Sequence, residues 1–177
     1  MNDQLVLATP RLLLRSILPT DQEMVFRGLS DPDVVEFYGV QYSSYEATTE
    51  QMKFYTEVEE SNTGKFWAVT NKDSGEFMGV GGVYFIKKEH RKGEIGFWML
   101  KPFWGKGYLQ EAIKEILNYS FKNLHLHRIE GIVEEENFRC RKAIEKAGFL
   151  YEGTLKDAEL KKGKFISLCY YAILNEA

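Results

Sequence analysis

Apolar positions two apart on either side of Pro10 (Leu5 and Leu7, then Leu12 and Leu14), flanked by Arg11 and Arg15, predict a strand broken at the proline. Thr20-x-x-Glu23 is a capping box and predicts a short helix to about Leu29. Ser43-x-x-Glu46 is a second, and predicts a helix to about Ser61 with Ala47, Met52, Tyr55 and Val58 turned inward. Two strands, 66–70 and 77–86, flank the turn-rich Asn71–Gly75, and a basic turn at 87–92 leads into a strand at 93–100. Leu109, Ala112, Ile113, Ile116, Leu117, Ser120 and Leu124 then recur at three- and four-residue steps, which predicts an amphipathic helix. A strand follows at 128–133, and Asn137 caps a helix that buries Cys140, Ala143, Ile144 and Ala147 and stops at Gly148. Strands at 151–155 and 165–174 close the pattern. No repeat, low-complexity tract or linker interrupts it, so one domain over 1–177 is the expected organisation.

The junction between the 93–100 strand and the amphipathic helix reads Phe103, Trp104, Gly105, Lys106, Gly107, Tyr108, Leu109. Both glycines tolerate positive φ and a close main-chain approach, and a helix N-terminus offers unpaired N–H groups with partial positive charge. Such a turn is either a plain strand-to-helix connection or a cradle for a phosphate or diphosphate, with Lys106 adding one charge.

Composition narrows the classes. At 177 residues, 44% hydrophobic and 14% aromatic, the chain has enough apolar material for a substantial core. A net charge of −3 argues against direct nucleic-acid binding, which calls for a basic face. The sequence carries no leader pattern at its start and no apolar run of bilayer length, so no membrane partner is expected and the cytoplasm is the expected location. Cys140 and Cys169 do not make a disulfide framework. His125-x-His127 lacks further ligands at metal spacing, so no metal is expected. Tyr108 stands where a P-loop needs Ser or Thr, and Gln110 where a Rossmann fingerprint needs its third glycine.

Three segments, in order, carry a more specific message. They are Thr9-Pro10-Arg11-Leu12-Leu13-Leu14-Arg15 with Ser30-Asp31-Pro32; Glu94-Ile95-Gly96-Phe97-Trp98 running into Trp104-Gly105-Lys106-Gly107-Tyr108 and Glu111-Ala112; and Asn137-x-x-Cys140 with Glu145-Lys146-Ala147-Gly148-Phe149. Together they resemble the GNAT superfamily of acyl-CoA-dependent N-acyltransferases, in particular its ribosomal-protein N-terminal acetyltransferase (Rim) branch. The resemblance implies an α+β fold: a mostly antiparallel seven-stranded sheet, about four flanking helices, and two central parallel strands, 93–100 and 128–133, that splay apart around the pantetheine arm of acetyl-CoA. It implies a diphosphate on the amides of Trp104, Gly105, Lys106, Gly107, Tyr108 and Leu109, main-chain bonds to the arm from Met99 and Leu100, and a side-chain contact from Asn137, which also reads as an N-cap. Two departures stand out. Pro102 occupies a position where the broad family has Gln or Arg, and Ile144 one where many members have a general-acid Tyr.

The implied reaction is direct attack of an amine on the thioester in a ternary complex. An α-amino group with a pKa of about 7.7–8.0 needs little help at neutral pH, whereas a lysine-like amine at about 10.4 must lose roughly 4–5 kcal/mol to deprotonate. A protein or peptide N-terminal amine is therefore the expected acceptor. A polyamine or aminoglycoside-like amine, and a non-catalytic acyl-CoA sensor, are the alternatives. Glu94 is the candidate base, or else a strand residue bonded to its neighbours, and Tyr84 and Tyr38 are further polar candidates. Cys140 has two readings, a proton donor to the departing thiolate or a small space-filling side chain. The expected assembly is a monomer or homodimer.

Overall fold

The computed structural model describes residues 6–175. Leu5, the first of the apolar positions named above, lies outside them. Among the described residues Pro10 does not merely interrupt a strand. It turns the chain back, so that β1 (Leu7–Ala8) pairs antiparallel with β2 (Leu12–Ser16), Leu7 opposite Leu14. This hairpin makes the sheet eight-stranded instead of seven.

The expected first capping box does not form. Pro19–Asp21 make a 3-10 turn, and the Asp21 carboxylate accepts from the Leu18 N–H (2.8 Å) and from both terminal nitrogens of Arg15 (2.7 and 2.8 Å), so α1 begins later, at Gln22–Leu29. A short helix absent from the sequence reading, α2 (Pro32–Val35), is capped by Asp31, whose side chain accepts from the Asp33 N–H. The second capping box is also displaced: Ser44, not Ser43, accepts from Ala47, and α3 is confined to Thr49–Glu60. In both places a side chain one residue away holds the turn ahead of the helix, Asp21 through the Leu18 N–H and Ser44 through the Ala47 N–H, and each helix starts after that turn without a side-chain cap.

The remaining elements are β3 (Lys65–Asn71), β4 (Phe77–Lys87), β5 (Lys92–Met99), α4 (Tyr108–Lys122), β6 (Arg128–Glu134), α5 (Phe138–Lys146), β7 (Leu150–Lys161) and β8 (Lys164–Leu174). The strand order is β1-β2-β3-β4-β5-β6-β8-β7. All neighbours run antiparallel except β5 and β6, which are joined by the α4 crossover and run parallel.

Period-two alternation divides the core between the two sheet faces. Leu12, Leu14, Trp67, Val69, Ile95 and Met99 pack with Ile113, Ile116 and Leu117 of α4. Phe66, Ala68, Val80, Trp98 and Leu100 pack with Val25 and Leu29 of α1 and Tyr55 and Val58 of α3. Strand β5 thus serves both cores, and Glu94, in step with Trp98, belongs to the α1–α3 side. Among the described residues no helix is long and apolar enough to cross a membrane.

Candidate active site

The parallel pair β5–β6 registers only over Lys92–Arg128, Gly93–Ile129 and Glu94–Glu130. Beyond Glu94 the two strands part. The Leu100 N–H donates to the Met78 carbonyl at 2.9 Å, and ladder alternation therefore turns the main-chain groups of Phe97 and Met99 away from β4 and toward β6. Of these, the Met99 carbonyl accepts the Trp104 indole N–H at 2.7 Å. The expectation for Leu100 needs correction, because its N–H is given to Met78 and its carbonyl accepts from Phe103 at 3.0 Å. Phe97, not singled out from sequence, presents a main-chain edge to the gap. Only the register of β4 against β5 reveals it.

At the far end of β5, a 3-10 turn (Lys101–Phe103) delivers the chain to the glycine junction. Gly105 (φ 73°) and Gly107 (φ 79°) are both left-handed, and Gly107 is the N-cap of α4 with no side-chain cap. Nothing lies within 4 Å of where a Cβ of Gly105 would stand. The Trp104 N–H is already given to the Lys101 carbonyl, which removes it from the expected donor set. Among the described residues, the N–H groups of Gly105, Lys106, Gly107, Tyr108, Leu109 and Gln110 find no protein acceptor. A run of unpaired amides at the positive end of a 15-residue helix, with open space at Gly105, fits an anionic diphosphate.

Tyr84 and Glu94 stand opposite each other in the β4–β5 ladder, and the tyrosine hydroxyl donates to Glu94 Oε1 at 2.7 Å. Glu94 is half-buried. Burial raises its pKa above the ordinary carboxylate range, the Tyr84 hydrogen bond works against that, and the nearby charges of Glu130 and Glu159 add to the rise. Burial also pushes the Tyr84 phenol far up, followed by the charge of Glu94. Just after Tyr84 the ladder slips by a β-bulge, and Phe85 takes a left-handed φ of 50° and stacks on Tyr84 at 4.5 Å. Tyr38 is pushed up by burial and then by Tyr42, and its influence on both Tyr55 and Tyr84 places it in the same aromatic cluster.

Of the two carboxylates that act on Glu94, one is compensated. Glu130 accepts from Lys92 (3.0 Å) and Arg128 (2.9 Å); burial acts upward on its pKa, but those two partners hold it below the usual range. Glu134 pairs with Lys161 and Glu136 with Lys164.

Asn137 accepts from the Cys140 N–H at 3.0 Å, so its carbonyl oxygen caps α5 and its amide N–H₂ has no protein acceptor among the described residues. Cys140 packs against the α4-side core, and burial pushes its thiol up to about 12. Burial holds that proton on the sulfur, which favours the space-filling reading. Arg139, beside Asn137, stacks on Trp104 at 4.5 Å and ties α5 to the glycine junction. The junction's other partner is Arg11, which from sequence was only part of a motif.

Comparison with known proteins agrees with this geometry. Residues 11–150 match the family model described as "Acetyltransferase (GNAT) domain". An uncharacterized N-acetyltransferase of Bacillus subtilis, YoaA, is 28% identical over 171 residues, covering 96% of this chain and 97% of the relative. A solved GNAT-family acetyltransferase from Bacillus anthracis superposes with a TM-score of 0.86 at 27% identity, over 96% of this chain and 98% of the other. Spermidine N-acetyltransferase from Vibrio cholerae, solved in complex with CoA and spermine, superposes with a TM-score of 0.83 at 23% identity, over 94% and 96% of the two chains. At that identity the likeness establishes the shared fold.

Proposed function

The chain belongs to the GNAT acetyltransferase family and is an acetyl-CoA-dependent N-acetyltransferase, and from that premise we propose that its acceptor is the α-amino group of a protein or peptide. The observation that carries this reading is the Tyr84–Glu94 pair. It provides one modestly basic, half-buried carboxylate with a single neutral hydrogen-bond donor, on the acceptor side of a strand whose opposite edge faces the cofactor gap. An amine of pKa about 7.7–8.0 needs no stronger base than that. Of the two carboxylates whose charge reaches it, Glu130 is already paired with Lys92 and Arg128, which leaves less free charge to hold a polycation.

Acetyl-CoA supplies the acetyl group as an activated thioester. The unpaired amides of Gly105 to Gln110 hold the diphosphate, the main-chain edge of Phe97 and Met99 and the free amide of Asn137 hold the pantetheine arm, and the N–H groups of that edge stabilise the developing oxyanion. Glu94, directly or through one water, takes a proton from the acceptor ammonium so that the neutral amine attacks. Tyr84 fixes the carboxylate and opposes the upward pull of burial. Cys140 packs beside the arm. The departing thiolate, with a pKa of about 8.5, leaves without a strong acid.

A second reading, a small diamine acceptor, draws on Glu159, whose charge reaches Glu94 and which has no ion-pair partner among the described residues. Thiol release from acetyl-CoA with a panel of N-terminal peptides, their Nα-blocked lysine counterparts, spermidine and an aminoglycoside separates the cases. Peptides with a free α-amine should be consumed fastest. Preference for spermidine overturns the peptide assignment in favour of the diamine, and CoA binding without release for any amine points to a sensor.

A further inference from the structure

Arg11 lies nearly 100 residues from the glycine junction in sequence, yet it is built into it. Its Nε donates to Glu111 Oε2 at 2.7 Å, its Nη2 sits 2.7 Å from the same oxygen, and its Nη1 donates to the Lys106 carbonyl at 3.1 Å. The guanidinium lies over the Tyr108 ring at 4.4 Å, and Nη2 would stand 3.5 Å from a Cβ on Gly107. The arginine's own main chain is pinned: its N–H donates to Glu111 Oε1 at 2.9 Å, and its carbonyl accepts from Lys72. Buried Thr9 also donates to that carboxylate oxygen. Burial acts upward on the Glu111 pKa, but the bonds from Thr9 and Arg11 hold it below the ordinary range, so the clamp is ionic at neutral pH.

We propose that Arg11 is a positioning residue for the diphosphate of acetyl-CoA: it acts through the Lys106 carbonyl and Glu111 to hold the 105–108 turn so that its free amides converge. The physical logic is that two glycines make the turn permissive but not rigid. A carbonyl at its apex fixed from outside, and the first turn of α4 tied by the guanidinium fork of Arg11, just ahead of β2, supply the missing rigidity. Among the described residues the guanidinium hydrogens beyond these contacts find no protein acceptor, and the positive charge favours the same anion. The proposal rests on the cradle reading above.

The test compares CoA with pantetheine, which lacks the diphosphate and nucleotide, by calorimetry on wild type, Arg11→Met, Arg11→Lys and Glu111→Gln, with acetyl-transfer kinetics on the acetyl thioesters of both. Wild type should prefer CoA strongly; if it binds CoA no better than pantetheine, the cradle reading itself fails. Arg11→Met should weaken CoA binding about 10- to 100-fold, the range for losing hydrogen bonds to a charged group, with KM for acetyl-CoA rising in parallel, kcat held within about threefold and pantetheine binding unmoved. Arg11→Lys keeps the charge but not the fork, and should resemble Arg11→Met. Wild-type affinity in Arg11→Lys, or equal losses for CoA and pantetheine, overturns the proposal. Glu111→Gln, which keeps the guanidinium and loosens only its anchor, should show a smaller loss of the same selectivity and stands in if Arg11→Met does not fold.

Discussion

The two sides of β5 are built by different means. On the α4 side, the groups facing the gap and the glycine junction are main-chain donors and acceptors, placed by the divergence of β5 from β6 and by two left-handed glycines. On the α1–α3 side the site is made of side chains: Glu94, Tyr84 and the aromatic cluster around Tyr38 and Tyr55. A main-chain cradle depends on backbone shape, so it survives departures such as Pro102 where a family side chain is missing. A proton-handling pair, as proposed for Tyr84 and Glu94, depends on which side chains stand opposite each other, and there substitution is expected to act on rate and not on cofactor affinity.

The largest expected effect tests the side-chain half. Glu94→Gln should lower kcat about 10²- to 10⁴-fold, the usual weight of a general base, while calorimetry finds CoA affinity unchanged. A parallel loss of affinity would erase the division between the two sides. The same variant carries a stability signature. Burial raises the folded pKa of Glu94, so the folded state binds the proton more tightly than the unfolded one. Stability is therefore lost as pH rises from the ordinary carboxylate range through the folded pKa. Glu94→Gln should accordingly raise Tm above that window and leave it nearly unchanged below.

Gly107→Val tests the main-chain half. A β-branched residue at φ 79° is strained by about 1–3 kcal/mol, so CoA affinity should fall about 10- to 100-fold. Stopped-flow rates at saturating acetyl-CoA should recover most of the wild-type value; failure to recover would mean that the turn also shapes the chemistry.

Tyr84→Phe sharpens the comparison further. Removing the hydroxyl takes away the interaction that lowers the Glu94 pKa, so the acid limb of the kcat profile should move to higher pH. An unmoved limb would detach Tyr84 from the ionisation of Glu94. The smallest effect is expected from Cys140→Ala. Turnover should stay within about threefold, with a stability loss of about 1 kcal/mol in urea unfolding, because the thiol is treated as packing. A large loss of rate would restore the proton-donor role.

Much of this molecule was legible locally. The turn-rich Asn71–Gly75 between 66–70 and 77–86, the three- and four-residue recurrence from Leu109 to Leu124, and Asn137 ahead of Cys140 report contacts between residues a few positions apart, and those elements form close to where the patterns place them. The helix starts near Thr20 and Ser43 were misplaced for the same kind of reason. Polar side chains are crowded at both places, and a neighbouring residue, Asp21 or Ser44, bonds an N–H of the turn that precedes the helix.

The sequence alone determined the order of elements, the glycine junction and the family resemblance, since each depends on short-range sterics and periodicity written along the chain. Only the tertiary structure decided that Tyr84 meets Glu94 beside a bulge, that Leu100 and the Trp104 amide are engaged while Phe97 faces the gap, and that Arg11 reaches Lys106 and Glu111. Those outcomes follow from strand register and from the docking of α4 on the sheet. Both are fixed by burying two apolar faces at once, a condition that no local window of residues contains.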